Sequence, residues 1–409
     1  VEAKKNVICV VVDRLHAGMI GAYGNSWIRT PELDHLASQS LLLDQAMING
    51  PELEQFYCGC WQGGHPAFAE PVCDKPTLIA LARAAGISAT LMTDEPRVAQ
   101  LPAAEEFNEQ IYLEPSDAES VADDLAETHL ARFFAAAVDR LQAAKPPLLL
   151  WIHTQGFGAA WDAPLEFRNQ YADEEDPVPP RFAAVPSCTL GSDHDPDELL
   201  GVTHAYAGQV SLLDACVGVL LDDLVNGPLA ANTLFVLLSA RGFPLGEHGR
   251  VGPRDPALYG ETVQIPWMMR FPDGSGALAR TQALAQPADL FATLADWWGL
   301  QTAGAPAGKS LIPLAIGQPM AFRDRVFTFA SDQERSIRTP AWFARLEGPL
   351  ETAAVELFAK PGDRWEVNEV ANRCPDVAAG LRSAWIEFQQ QAAADQAAPL
   401  DALLVTPLD

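Results

Sequence analysis

Short apolar runs recur along the chain, each too short for a buried helix and most separated by amphipathic stretches, and they restrict the fold more than any other feature. Val7–Val12, Ser88–Met92, Leu148–Ile152, Thr233–Leu238 and Ile265–Arg270 are dominated by aliphatic and other apolar residues. Runs of roughly four to eight such residues without polar alternation are the mark of strands buried on both faces. Between them lie helical patterns: Pro76–Ala85, stopped by Gly86; Glu119–Ala144, stopped by Pro146 and Pro147; and Glu198–Val225, ended by Asn226 and Gly227. This alternation predicts an α/β sandwich with a large, mainly parallel central sheet flanked by helices.

Two segments depart from the pattern. Residues 162–197 carry repeated prolines, the acidic run "DEED" and no sustained period, and read as a long surface excursion over one rim of the sheet. Beyond residue 322 the fragments "RVFTFA", "AWFARLEG" and "AVELFAK" are separated by Gly and Pro turns and followed by a helical stretch from Asp376 to about Gln391. The expectation is a main domain over 1–322 and a small C-terminal α+β subdomain with an antiparallel sheet over 323–409.

With 409 residues and 48% hydrophobic composition the chain can bury a large core. Its net charge of −27 repels nucleic acid and anionic membranes, and the apolar runs are too short to span a bilayer. Nucleic acid and a membrane are therefore not expected as partners. Seven cysteines, at 9, 58, 60, 73, 188, 216 and 374, form an odd set without zinc-type spacing. Cys9 and Cys216 sit inside apolar periodic segments as small core residues, which favours a reducing, cytoplasmic setting.

The first strand reads "NVICVVVDRLHAGMIGAYGN", followed by "IRTPELDHLA". This opening resembles that of the sulfatases of the alkaline phosphatase superfamily, and the likeness continues in order. "LLLWIHTQGFGAAWDAP", "YAGQVSLLDACVGVLLDDL", "LGEHGRVG", "IPWMMRFPDG", "DLFATLADWWGL", "GKSLIPL", "RSIRTPAWFARL" and "ELFAKPGDRWEVNEVAN" each have a counterpart. The resemblance implies an alkaline-phosphatase-like fold and, for the family, sulfuric ester hydrolysis. That chemistry uses a formylglycine nucleophile made from Cys or Ser, and a calcium or magnesium ion held by oxygen-rich ligands.

Those groups are mostly missing here. Asp13 matches the first aspartate of the family's metal site, but Arg14 stands at the second, and Ala240 and Arg241 stand at the Asp and the His or Asn of the later strand. Taking "WQGGHP" as the family's Thr-Gly segment, the nucleophile position falls on Leu53, which cannot become formylglycine. Cys58 and Cys60 lie outside the modification motif and read as incidental thiols rather than a redox pair. The family's Pro-His-x-Pro turn reads Phe157, Gly158, Ala159, Ala160, and Lys309 in "GKSL" reads as a surface residue. His153 and His248 survive, the first as a structural or a ligand-contacting histidine, the second as a loop-shaping one.

The expectation is that no metal cofactor binds at Asp13, since a cation there would meet two guanidiniums. Arg14 and Arg241 would instead neutralise Asp13 across two strand ends; alternatively Arg14 turns to solvent and Asp13 caps a helix. The favoured function is a catalytically degenerate sulfatase-family protein with an anion-friendly cleft for a small anionic or sugar-like ligand or a protein partner. The other reading is an active sulfate- or phosphate-ester hydrolase with a rearranged, non-formylglycine site, using water activated by His153 or a Cys58 thiolate.

Overall fold

The computed structural model describes residues 5–68, 75–253, 257–302, 307–318, 322–390 and 399–407. In chain order its strands are β1 (Asn6–Val12), β2 (Leu41–Ala46), β3 (Ser88–Thr93), β4 (Glu109–Tyr112), β5 (Leu148–Thr154), β6 (Cys188–Thr189), β7 (Thr233–Leu238), β8 (Arg250–Val251), β9 (Trp267–Arg270), β10 (Ala279–Ala285), β11 (Val326–Ser331), β12 (Glu334–Arg338), β13 (Trp342–Glu347) and β14 (Ala354–Ala359). Eight of them form the main sheet in the order β10-β2-β9-β7-β1-β5-β3-β4. Around its centre, β1 runs parallel to β5 and β7, and β3 parallel to β4 and β5, while β9 is antiparallel to β2 and β7.

Every residue of β1, β5 and β7 is buried, as their unalternated apolar composition requires of a parallel sheet covered on both faces. The expected strand at Ile265–Arg270 begins at Trp267 instead, because Pro266 has no amide to give to the ladder. Helix Pro196–Asn226 packs against the sheet, capped at its start by Asp195, whose carboxylate accepts from the Asp197 amide at 3.0 Å.

The helix expected over Glu119–Ala144 forms only at His129–Gln142. Thr128 starts it by accepting from the Ala131 amide. The upstream residues pair elsewhere: the Val121 amide donates to the Arg181 carbonyl and the Ala122 amide to the Asp162 carbonyl. Those partners belong to the 162–197 excursion, which up to the start of the helix at Pro196 is irregular apart from the helix Leu165–Asn169 and the two residues of β6. Fully buried Arg168 ties it down through donations to the carbonyls of Pro180, Trp161 and Phe182.

Residues 326–359 form the expected antiparallel sheet in the order β11-β12-β13-β14, with helix Pro375–Gln390 sharing its apolar core through Trp385 and Phe388. By contacts the chain gathers into two compact units, 1–44, 82–255 and 265–280 in one, and 45–81, 256–264 and 281–409 in the other. Among the described residues no helix is long and apolar enough to cross a membrane.

Candidate functional site

In the first unit, β7, β1, β5 and β3 lie side by side and parallel, with Val11 opposite both Leu238 and His153, and His153 opposite Thr93. Their carboxyl ends therefore present Ala240 and Arg241, Asp13 and Arg14, His153, and Asp94 along one edge, where an open parallel sheet exposes its ligand crevice.

Asp13 is buried and still in the ladder, its amide donating to the Thr154 carbonyl at 3.0 Å. Arg241 Nε donates to Asp13 Oδ1 at 3.0 Å and Nη2 to Oδ2 at 2.9 Å. Arg14 Nε stands 3.9 Å from Asp13 Oδ2. Burial works to raise the Asp13 carboxyl, but the Arg241 and Arg14 charges, the Arg241 hydrogen bonds and nearby His153 outweigh it and hold the group below its ordinary value. The structure thus realises the expected neutralisation, with Arg241 as the main partner.

Arg14 takes a left-handed backbone, φ 61°, which a non-glycine residue adopts only when its surroundings hold it. Tyr206 does so: its hydroxyl donates to the Arg14 carbonyl and accepts from the His16 amide, each at 2.8 Å, while its ring stacks on Phe157 at 4.4 Å. The Arg14 side chain lies against Gly158, where the resemblance leads one to expect the family's turn histidine. A Cβ on Gly158 would stand 3.3 Å from Arg14 Cδ and 3.7 Å from Asp13 Oδ2.

His153 is fully buried, and burial pulls its imidazole down to about 4 despite the raising effects of Asp13 and Asp94. Ala240 is buried, and its methyl offers no donor atom. Between it and the strand, the Ser239 hydroxyl accepts from the Leu15 amide at 3.2 Å and donates to the Arg241 carbonyl at 2.6 Å, fixing the loop that carries the guanidinium. His248 lies in the turn Glu247–Gly249 with φ 50°. Its neighbour Glu247 is the residue that reaches the end of β1, with Oε1 3.4 Å from His16 Nε2.

Asp94, which no local motif signals, is a heavily bonded carboxylate at this edge. It is fully buried and accepts from His129 Nε2 at 2.6 Å, from the Thr154 hydroxyl at 2.9 Å and from the Gln155 amide at 2.7 Å. Glu95 follows it, raised by its own burial and by the Asp13 charge.

Leu53, where the resemblance leads one to expect the nucleophile, belongs to the second unit. It is fully buried and opens the helix Leu53–Gln62. Glu52 and Gln55 close that helix start reciprocally, the Glu52 amide donating to Gln55 Oε1 at 3.1 Å. Later in the helix, burial pushes the Cys58 thiol up to about 11, and Cys60 is buried. The Cys58 thiol is therefore protonated at neutral pH. Cys73 lies outside the described residues. Lys309, expected on the surface, is half-buried, because its ammonium donates to the Phe322 carbonyl at 2.6 Å.

A calcium or magnesium ion needs about six or more oxygen donors in an open arrangement. Here both Asp13 oxygens point at a guanidinium, and Ala240, Arg14 and Arg241 supply none. Among the described residues no three His, Cys, Asp or Glu side chains are grouped to hold a metal. The donor set at Asp13 does not fit the family's ion.

Comparison with known proteins places the chain. The Sulfatase family model matches residues 5–300. An N-acetylglucosamine-6-O-sulfatase of Bacteroides thetaiotaomicron is 31% identical over 109 residues, 27% of this chain, and the match spans only 19% of that relative's length. In fold the chain is similar to the phosphonate monoester hydrolase of Agrobacterium radiobacter, with TM-score 0.76, 17% identity and 95% of each chain covered. It is also similar to a protein solved with its substrate D-glucosamine-2-N,6-O-disulfate, with TM-score 0.74, 16% identity and 97% and 100% covered.

Proposed function

Since the chain belongs to the sulfatase family, we propose that it is a member that has kept the fold and given up hydrolysis, and that it works as a binding or assembly protein. The observation that carries this reading is the two-point bond of Arg241 to Asp13. It fills with a fixed cation the place where the family needs an exchangeable one. Without a formylglycine, a divalent ion or the turn histidine, this edge has guanidiniums that can hold a sulfate group but no nucleophile to attack it and no proton donor for the leaving group.

The cleft is suited to a small anion. Arg14 is the more accessible of its two guanidiniums, with 14% of its side chain exposed. Relatives named for sulfated amino sugars favour a sulfated or otherwise acidic sugar as the ligand. The six described cysteines are all free thiols, which supports a reducing compartment such as the cytoplasm. A rearranged hydrolase gains little from the same geometry: the Cys58 thiol is raised to about 11 and His153 has no exposed surface.

Turnover of aryl sulfate and aryl phosphate, each with and without calcium, magnesium and manganese, tests the proposal. No turnover is expected under any condition. Metal-stimulated turnover that disappears in Asp13→Ala overturns it.

A further inference from the structure

Three loops that shape the Asp13 edge meet at one side chain of the helix Pro196–Asn226. Asp13 and Arg14 follow β1, Phe157 and Trp161 follow β5, and Arg241 and Phe243 follow β7. Tyr206 reaches all three. Its hydroxyl serves the first loop, donating to the Arg14 carbonyl and accepting from the His16 amide. Its ring serves the other two: it stacks on Phe157 at 4.4 Å and 27°, stands edge-on to Trp161 at 5.4 Å and 83°, and tilts against Phe243 at 5.5 Å. Trp161 and Phe243 also meet each other, at 5.4 Å.

All four rings are fully buried, so none moves without displacing the others. Trp161 is fixed in turn by its amide, which donates to the Ala183 carbonyl at 2.7 Å, and by its indole, which donates to the Phe157 carbonyl at 3.0 Å. Burial raises the Tyr206 phenol well above its ordinary value, and it keeps the proton it donates. Without that hydroxyl the Arg14 carbonyl would lose a donor and the His16 amide an acceptor, and the φ of 61° at Arg14 would lose a restraint. A guanidinium is a planar, directional donor, so a change in its backbone changes which oxygens it reaches.

We propose that Tyr206 is the positioning residue of the cleft: it sets Arg14, beyond β1, against Arg241, beyond β7, and so fixes the spacing of the two guanidiniums offered to an anion. Tyr206 itself touches no ligand. The proposal rests on the reading of this edge as an anion-binding cleft, but the placing of Arg14 is measurable without a ligand.

Two measurements on the whole chain test it. In the first, phenylglyoxal modifies accessible guanidiniums, and mass spectrometry follows Arg14 and Arg241 separately. Tyr206→Phe keeps the ring and removes the hydroxyl; it is expected to speed modification of Arg14 about tenfold while Arg241 stays within about twofold. A general loss of structure would speed both together. In the second, inorganic sulfate is titrated calorimetrically. Saturable binding is expected, weakened about tenfold by Tyr206→Phe in the native background and by less than about twofold when Arg14 is already alanine. If Tyr206→Phe does not fold, Phe157→Leu, which removes the stacked ring and leaves the hydroxyl, is expected to speed Arg14 modification in the same selective way. Arg14 modified at the native rate in the variant overturns the proposal, as does sulfate affinity that Tyr206→Phe leaves unchanged or weakens equally in both backgrounds. No sulfate binding by the native chain, with Arg14 selectively exposed in the variant, overturns the anion reading and upholds Tyr206 as the residue that places Arg14.

Discussion

Arg241 holds Asp13 edge-on, with Nε and Nη2 3.0 and 2.9 Å from the two carboxylate oxygens, and both residues are more than nine-tenths buried. Removing either partner alone strands the other charge in a site poor in water. Asp13→Leu or Arg241→Leu alone is expected to lower unfolding free energy by about 3–5 kcal/mol. The paired replacement Asp13→Leu with Arg241→Leu is expected to lose much less than the sum of the two single losses. Urea denaturation of the four proteins measures both, and additive losses contradict a coupled pair.

Arg14 and Gly158 form a second coupled pair, through shape rather than charge. With 3.3 Å between the position of a Gly158 Cβ and Arg14 Cδ, Gly158→His must displace the arginine, at an expected loss of about 1–3 kcal/mol. In an Arg14→Ala background the same change is expected to cost at least about 0.5 kcal/mol less, read from a double-mutant cycle. An unchanged loss would show that Arg14 does not fill the histidine's space.

Acid sensitivity follows from two buried imidazoles. His65 and His153 are both pulled from 6.5 down to about 4 by burial, so between those values the unfolded chain binds protons that the folded chain does not. Stability is therefore retained above pH 6.5 and lost as pH falls toward 4, with an upper bound of about 3 kcal/mol per histidine. Asp214, raised to about 6 by burial, acts in the opposite direction, because the folded state takes up its proton first. Denaturation at several pH values is expected to show a shallower loss for His153→Gln than for the native chain; parallel curves argue against a buried neutral His153.

Calcium gives a direct readout of the donor set. The native melting midpoint is expected to stay put when millimolar calcium or a chelator is added. Combining Arg14→Asp, Ala240→Asp and Arg241→Asn returns three oxygen-bearing side chains to the strand ends. That variant is expected to melt higher in calcium, by the equivalent of about 2.7 kcal/mol at a hundredfold excess over the dissociation constant. A calcium-dependent rise in the native chain removes the basis for a metal-free edge.

The parts of this molecule that the sequence made legible were those with a strong local pattern. β1, β5 and β7 are unbroken apolar runs, and their positions followed directly from that. Asp13, Arg14, Ala240 and Arg241 drew attention because they fall just beyond those runs, where the ends of neighbouring parallel strands come together. Asp94 was less legible. It follows β3, but its value lies in His129, Thr154 and Gln155, which no local spacing connects to it. The overlong Glu119–Ala144 helix failed for a related reason: its first part has helical composition, but its amides find carbonyl partners in a distant excursion. β12 was hidden because Glu334–Arg338, five residues with charges at both ends, reads as strand only once β11 and β13 flank it.

The order of synthesis gives the Asp13–Arg241 bond another consequence. The two residues are 228 positions apart, so a chain emerging from the ribosome carries a bare carboxylate at the tip of β1 until β7 has been made and has docked. At that moment the polypeptide brings the counter-charge itself, in Arg241. The bond is also one of the longest-range contacts in the first unit, and contacts of that kind are slow to close. Burial of Asp13 therefore marks the point at which β1 and β7, made far apart in time, lie side by side at the centre of the sheet.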